Sequence, residues 1–242
     1  GLAAMWVKPQ PQRRAIHLAL AGAAFGVAYL TAYSAYGFFH YLTSVNALAL
    51  LALVAVAAGV FAVRSNVMSV AILAMVGAYL APRFALGEPS VLAVYGYFLA
   101  ASILSLVMVT LRGWRPLIHL SFLFTLAGAL FFGWNGRFYE AQYYAQMQPL
   151  LLALALVHVL MPWLERKHSR SGTLAQLGSV YFVLLPLVAA LLTLKIAPDS
   201  HTQGALGLAM LAVLWGVTAA LLAVRKQAEA TRHGLVALAL AG

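Results

Sequence analysis

The sequence predicts an all-α fold, a polytopic transmembrane helical bundle with about eight full spans and truncated ends. Three observations carry that expectation. Hydrophobic residues make up 64% of the 242 and charged residues only 8%, where a soluble domain carries about 25% charged residues. The apolar residues form unbroken runs of span length rather than the short alternating segments of a membrane barrel. Basic charge then alternates from one loop to the next. Lipid as solvent accounts for the composition, because side chains facing hydrocarbon need no charge.

The spans fall at about 16–38, 45–63, 67–82, 91–111, 116–134, 149–164, 174–194 and 204–224, and a further apolar stretch starts near 234. In the first, Tyr29, Tyr33 and Tyr36 recur at i, i+4 and i+7 and share one helix face. Three phenols on a stripe need partners, either in helix packing or in a headgroup or solute cavity open to the outside. Nearby, Gly22, Gly26 and Ala28 permit close helix approach. Asn46 is the expected N-cap of the second span. The third span is short and closes at Pro82, which is expected to end or kink it. Arg83 and Glu88 follow as a compact pair of opposite charges, suited to a local ion pair or to contact with a phosphate or carboxylate.

Trp114, Trp134 and Trp163 near span ends fit the interfacial belt. The longest linker, 135–148, holds Phe138, Tyr139, Tyr143 and Tyr144 and is closed by Pro149. That composition predicts a short helix lying in the headgroup layer. His158 is the one ionisable side chain well inside a span, to be used in an interhelical hydrogen bond or in a site. His17, His119 and Gln176 lie closer to span ends, and Pro186 predicts a kink. Gly1–Val7 reads as the end of an earlier apolar segment and Gly234–Gly242 as the start of another. Residues 1–242 are therefore expected to form one transmembrane region of a larger multi-span protein, with no soluble domain.

Sorting charges by side fixes an orientation. Twelve of the fifteen Lys and Arg, together with Glu165 and Glu229, fall on the side of the linker at 8–14, which sums to +10. The opposite side holds Arg83, Arg137 and Lys195 with Glu88, Glu140 and Asp199, and sums to zero. The positive-inside rule places the basic side, including residues 8–14, in the cytoplasm. Removing one span would scramble this separation.

The chain has no cysteine, so disulfides and thiolate metal sites are excluded. It has no HExxH, GxSxG or phosphate-loop sequence, and no Asp or Glu inside a span. No cofactor, metal or nucleic acid is expected, and no catalytic residue is assigned. The expected partners are membrane lipids and other envelope proteins. The candidate cavity or headgroup contacts are Tyr29, Tyr33, Tyr36, Arg83, Glu88 and His158. Three functions compete: a lipid- or glycan-related protein of the cell envelope, a transporter or channel, and a scaffold or sensor without catalysis. The lack of buried acids weighs against an ion-coupled carrier.

Several short motifs stand together: Tyr29-Leu30-Thr31-Ala32-Tyr33, Gly77-Ala78-Tyr79-Leu80-Ala81-Pro82, Tyr95-Gly96-Tyr97, Leu111-Arg112-Gly113-Trp114 and Phe132-Gly133-Trp134. In this combination the chain resembles a family of large bacterial membrane proteins, the predicted membrane proteins of DUF2339. The resemblance is carried best by residues 15–135. It implies an array of many spans, and it brings no catalytic or binding residues with it.

Overall fold

The structure, a computed structural model, describes residues 14–85, 90–135, 138–165, 174–197 and 201–224. The described residues form eight α-helices and one 3-10 turn. They are α1 (Arg14–Gly37), α2 (Ser44–Ser65), α3 (Met68–Ala85), α4 (Val91–Arg112), α5 (Arg115–Asn135), α6 (Tyr144–Glu165), α7 (Leu174–Ile196) and α8 (His201–Val224), with the 3-10 turn at Ala141–Tyr143. Each predicted span has its helix. Six helices are long and apolar enough to cross a membrane, and α3 and α7 contribute the shorter apolar stretches Met68–Arg83 and Leu184–Ile196.

The helix ends follow local chemistry, and two differ from expectation. Thr43, not Asn46, caps α2: its hydroxyl accepts the Asn46 N–H at 3.4 Å, which makes Asn46 the third helical residue. A threonine cap supplies the same oxygen acceptor as asparagine, three residues earlier. Pro82 lies inside α3, which runs on to Ala85. Its missing N–H and its ring disturb only the preceding turn, so three more residues complete the helix. Ser90 caps α4 by accepting the Ala93 N–H at 3.2 Å. Asn66 and Gly113 adopt left-handed backbone (φ 55° and 66°) and close α2 and α4. Each lies in a two-residue connection, so α2–α3 and α4–α5 are antiparallel hairpins.

Contacts divide the chain into two compact units, Gly1–Pro89 and Ser90–Gly242. In the first, α2 and α3 form the closest pair and α1 packs on both. The α2–α3 seam is built from small side chains, with Ala47, Ala55, Ala58, Ala62, Ala71 and Ala74 all buried, the composition that lets helix backbones approach in lipid. In the second unit, α6 is central and touches α4, α5, α7 and α8.

Both units turn large apolar side chains outward, and the second also buries polar ones. Leu30, Leu53, Val60 and Leu73 of the first are exposed, as are Leu92, Ile103, Leu123 and Leu187 of the second. Meanwhile Ser102, Ser105, Ser121, Thr125, Gln148, His158 and Thr193 are buried. Such continuous apolar surface is a liability in water and is satisfied by hydrocarbon.

Candidate functional site

The first unit engages the tyrosine stripe of α1. The Tyr29 hydroxyl donates to the Ala74 carbonyl of α3 at 3.1 Å, and its ring lies over Gly77, where a methyl group would overlap it. Tyr36 shares a 3.0 Å hydrogen bond with Ser44 at the start of α2. Tyr33 packs against Gly37 and meets Phe38 edge-on at 6.0 Å. An open groove of about 480 Å³ runs along α1, lined by Val27, Leu30, Thr31, Ser34, Phe39 and Tyr41. None of the three stripe tyrosines lines it. Arg83 is exposed near the end of α3, and Glu88 lies outside the described residues. The side chains of His17, Trp163 and Gln176 lie outside them as well.

The second unit carries a buried polar seam where α4, α5 and α6 meet. Ser121 and Thr125 sit four residues apart on α5 and so share a face. The Thr125 hydroxyl bonds that of Ser102 on α4 at 3.2 Å. Ser105 donates to the Ala101 carbonyl at 2.9 Å. His158, 1% exposed, lies 2.8 Å through Nδ1 from the Leu154 carbonyl and 3.3 Å through Nε2 from the Ser121 hydroxyl. A carbonyl only accepts, so Nδ1 carries the proton, and in a neutral imidazole Nε2 then accepts from the Ser121 hydroxyl. Phe122 covers it edge-on, with ring centroids 6.0 Å apart. His158 thus serves as an interhelical hydrogen-bond partner with both ring nitrogens engaged.

At the other end of α4 and α5 lies an aromatic cap. Tyr95 and Tyr139 both donate to the Ala129 carbonyl, at 2.9 and 2.7 Å, and their oxygens lie 3.3 Å apart. The Tyr139 ring covers Gly133, where a methyl would overlap it. Phe138 is buried between the Tyr95 and Tyr143 rings, and its N–H donates to the Gly133 carbonyl at 3.0 Å. Burial raises the Tyr139 phenol above its ordinary pKa, with the bond to Tyr95 acting the other way. It stays protonated and donating. The described part of the 135–148 linker therefore differs from the expected headgroup-layer helix. Its 3-10 turn spans only Ala141–Tyr143, α6 begins at Tyr144 and runs through Pro149, and two of its aromatic residues fold down onto α4 and α5. The physical reason is burial: the Phe138 ring is enclosed by Tyr95 and Tyr143, and the Tyr139 ring fills the space over Gly133.

The same end holds the junction of α6, α7 and α8. Tyr144 donates to the Gln203 carbonyl at 2.7 Å in an exposed hydrogen bond. One turn further along α6, Gln148 is 5% exposed, and Thr193 on α7 is fully buried. Both amide atoms of Gln148 and the Thr193 hydroxyl lack a partner among the described residues. Sequence reading passed over this junction because an isolated Gln and Thr near helix ends look like ordinary interfacial residues. Only α8 brought alongside reveals that they converge. Among the described residues no three His, Asp or Glu side chains gather to hold a metal ion.

A family model described as "Predicted membrane protein (DUF2339)" matches residues 1–242. No curated protein and no solved structure matches the chain.

Proposed function

We propose, from the premise that the chain belongs to the predicted membrane protein family DUF2339, that this multi-pass membrane protein handles lipids or lipid-linked glycans of the cell envelope at the outer ends of α4–α8. One observation carries the reading: that end gathers uncharged hydrogen-bonding groups among aromatic rings. Tyr95, Tyr139, Tyr144 and Gln148 stand there beside Phe138 and Tyr143. Rings flanked by neutral amides and phenols suit hydroxylated headgroups, which offer both donors and acceptors and apolar C–H faces. The charge-balanced loops on the same side favour an external, neutral ligand over a polyanion.

A carrier reading draws less support. The seam around His158 is closed by Ser121–His158 and Ser102–Thr125 pairs rather than lined by unpaired ionisable groups. The test is the set of lipids and glycolipids that stays with the protein through gentle purification, read by mass spectrometry. Enrichment of hydroxylated headgroups over the surrounding membrane is expected. A retained set of the same composition as the bulk bilayer contradicts the proposal.

A further inference from the structure

A methyl placed on Gly207 of α8 would lie 2.7 Å from Thr193 Cγ2, 2.8 Å from Gln148 Nε2 and 3.2 Å from the Tyr144 hydroxyl. Three helices therefore bring an amide, a hydroxyl and a phenol to one spot, and the glycine lets them lie directly against the α8 backbone. Exposure falls along the cluster. Tyr144 sits in an exposed hydrogen bond at its mouth, while Gln148 and Thr193 are buried at its floor. Gln148 lies only one turn, about 6 Å of helix, below the start of α6.

Besides the Tyr97 hydroxyl and the Trp215 indole N–H, the buried side-chain polar atoms without a partner among the described residues lie at this floor. Gln148 Nε2, Gln148 Oε1 and Thr193 Oγ1 have no partner among the described residues. A threonine in a helix ordinarily returns its hydroxyl to the carbonyl four residues back, as Thr218 does to Leu214 at 2.7 Å. Thr193 does not. Buried donors and acceptors left unpaired are costly in any interior and more so in a membrane. The seam on α4–α6 pairs its polar side chains under the same constraint. Two adjacent exceptions on different helices point to a third party.

We infer that the Gln148–Thr193–Tyr144 junction beside Gly207 is a binding site for a neutral hydroxyl-bearing group, of the kind carried by a sugar or glycerol headgroup, entering from the outer surface. The inference rests on the envelope-lipid reading and names its site. A hydroxyl both donates and accepts, which matches an amide that offers both and a hydroxyl that offers both. Among the described residues no charged side chain joins the cluster, which selects a neutral ligand, since an ion there would lack a counter-charge among them.

The experiment uses the full chain in phosphatidylcholine vesicles, with and without glucosyl-diacylglycerol, with diacylglycerol as the headgroup-free control and free glucose as the soluble arm. The readout is the ligand-induced shift in unfolding temperature across a titration. Wild type is expected to be stabilised by the glucosyl lipid and not by diacylglycerol. A response to free glucose as well would identify the source as a soluble sugar, and a response to the lipid alone would identify it as membrane-borne. The double variant Gln148→Leu/Thr193→Val is expected to be at least as stable without ligand, because it removes unpaired groups. It should lose on the order of tenfold in apparent affinity, as expected for the loss of its hydrogen bonds. Gly207→Ala, which fills the same spot, should weaken binding too and covers the case in which the double variant fails to fold. Wild-type binding that survives both substitutions overturns this site while leaving the envelope reading standing. Wild type that responds to neither sugar overturns both.

Discussion

At the scale of single residues, glycines opposite aromatic rings set the packing. Tyr29 over Gly77 and Tyr139 over Gly133 place three of the short sequence motifs, at 29–33, 77–82 and 132–134, in contact roles. Gly77→Ala should therefore destabilise the first unit by about 1–3 kcal/mol, the usual cost of overpacking. Thermal unfolding in detergent measures this, and Tyr29→Leu in the same chain should recover part of the loss by removing the ring. An unchanged unfolding temperature for Gly77→Ala would mean that the ring does not rest there. Ser121→Ala should cost less, about 1 kcal/mol, because it leaves one neutral imidazole nitrogen without its donor. His158 was legible as an intramembrane polar residue, but its partner was not. Ser121 lies 37 positions away, and one small hydroxyl among several carries no distinguishing spacing.

At the scale of elements, the spans were almost wholly readable. Long apolar runs leave a helix as the only way to satisfy the backbone in hydrocarbon, so extent followed from composition. The misses came where side chains choose between local partners. Thr43 outcompeted Asn46 as a cap, and α6 began before Pro149, with Phe138 and Tyr139 ahead of it packed on α4 and α5. The strap at 138–143 yields a prediction of its own. Tyr139→Phe removes the phenol from the Ala129 carbonyl while Tyr95 still reaches it. The expected result is faster amide hydrogen exchange confined to 138–143, with a global loss of only about 0.5–1.5 kcal/mol. Exchange that stays at wild-type rates would show that Phe138 burial alone holds the strap.

At the scale of the whole molecule, two features converge on residence in a bilayer. Both units expose leucines and valines, and the second buries serine and threonine hydroxyls, an amide and an imidazole. The loops, sorted by alternate crossings, separate into one strongly basic side and one neutral side. The first feature needs coordinates; the second was available from the sequence, because insertion responds to charge in loops whatever the packing. The polar junction of α6, α7 and α8 could not have been foreseen, since it depends on which of eight similar apolar helices are neighbours. Apolar runs carry little information about pairing.

The central claim is the crossing pattern, and the lack of any native cysteine makes it directly measurable. Single-cysteine variants Ser65→Cys, Ser169→Cys, Gln142→Cys and Thr202→Cys are each labelled in intact cells with a membrane-impermeant maleimide. The account predicts labelling at 142 and 202 from outside, and at 65 and 169 only after the membrane is opened. Labelling of 65 and 142 from the same side would contradict it.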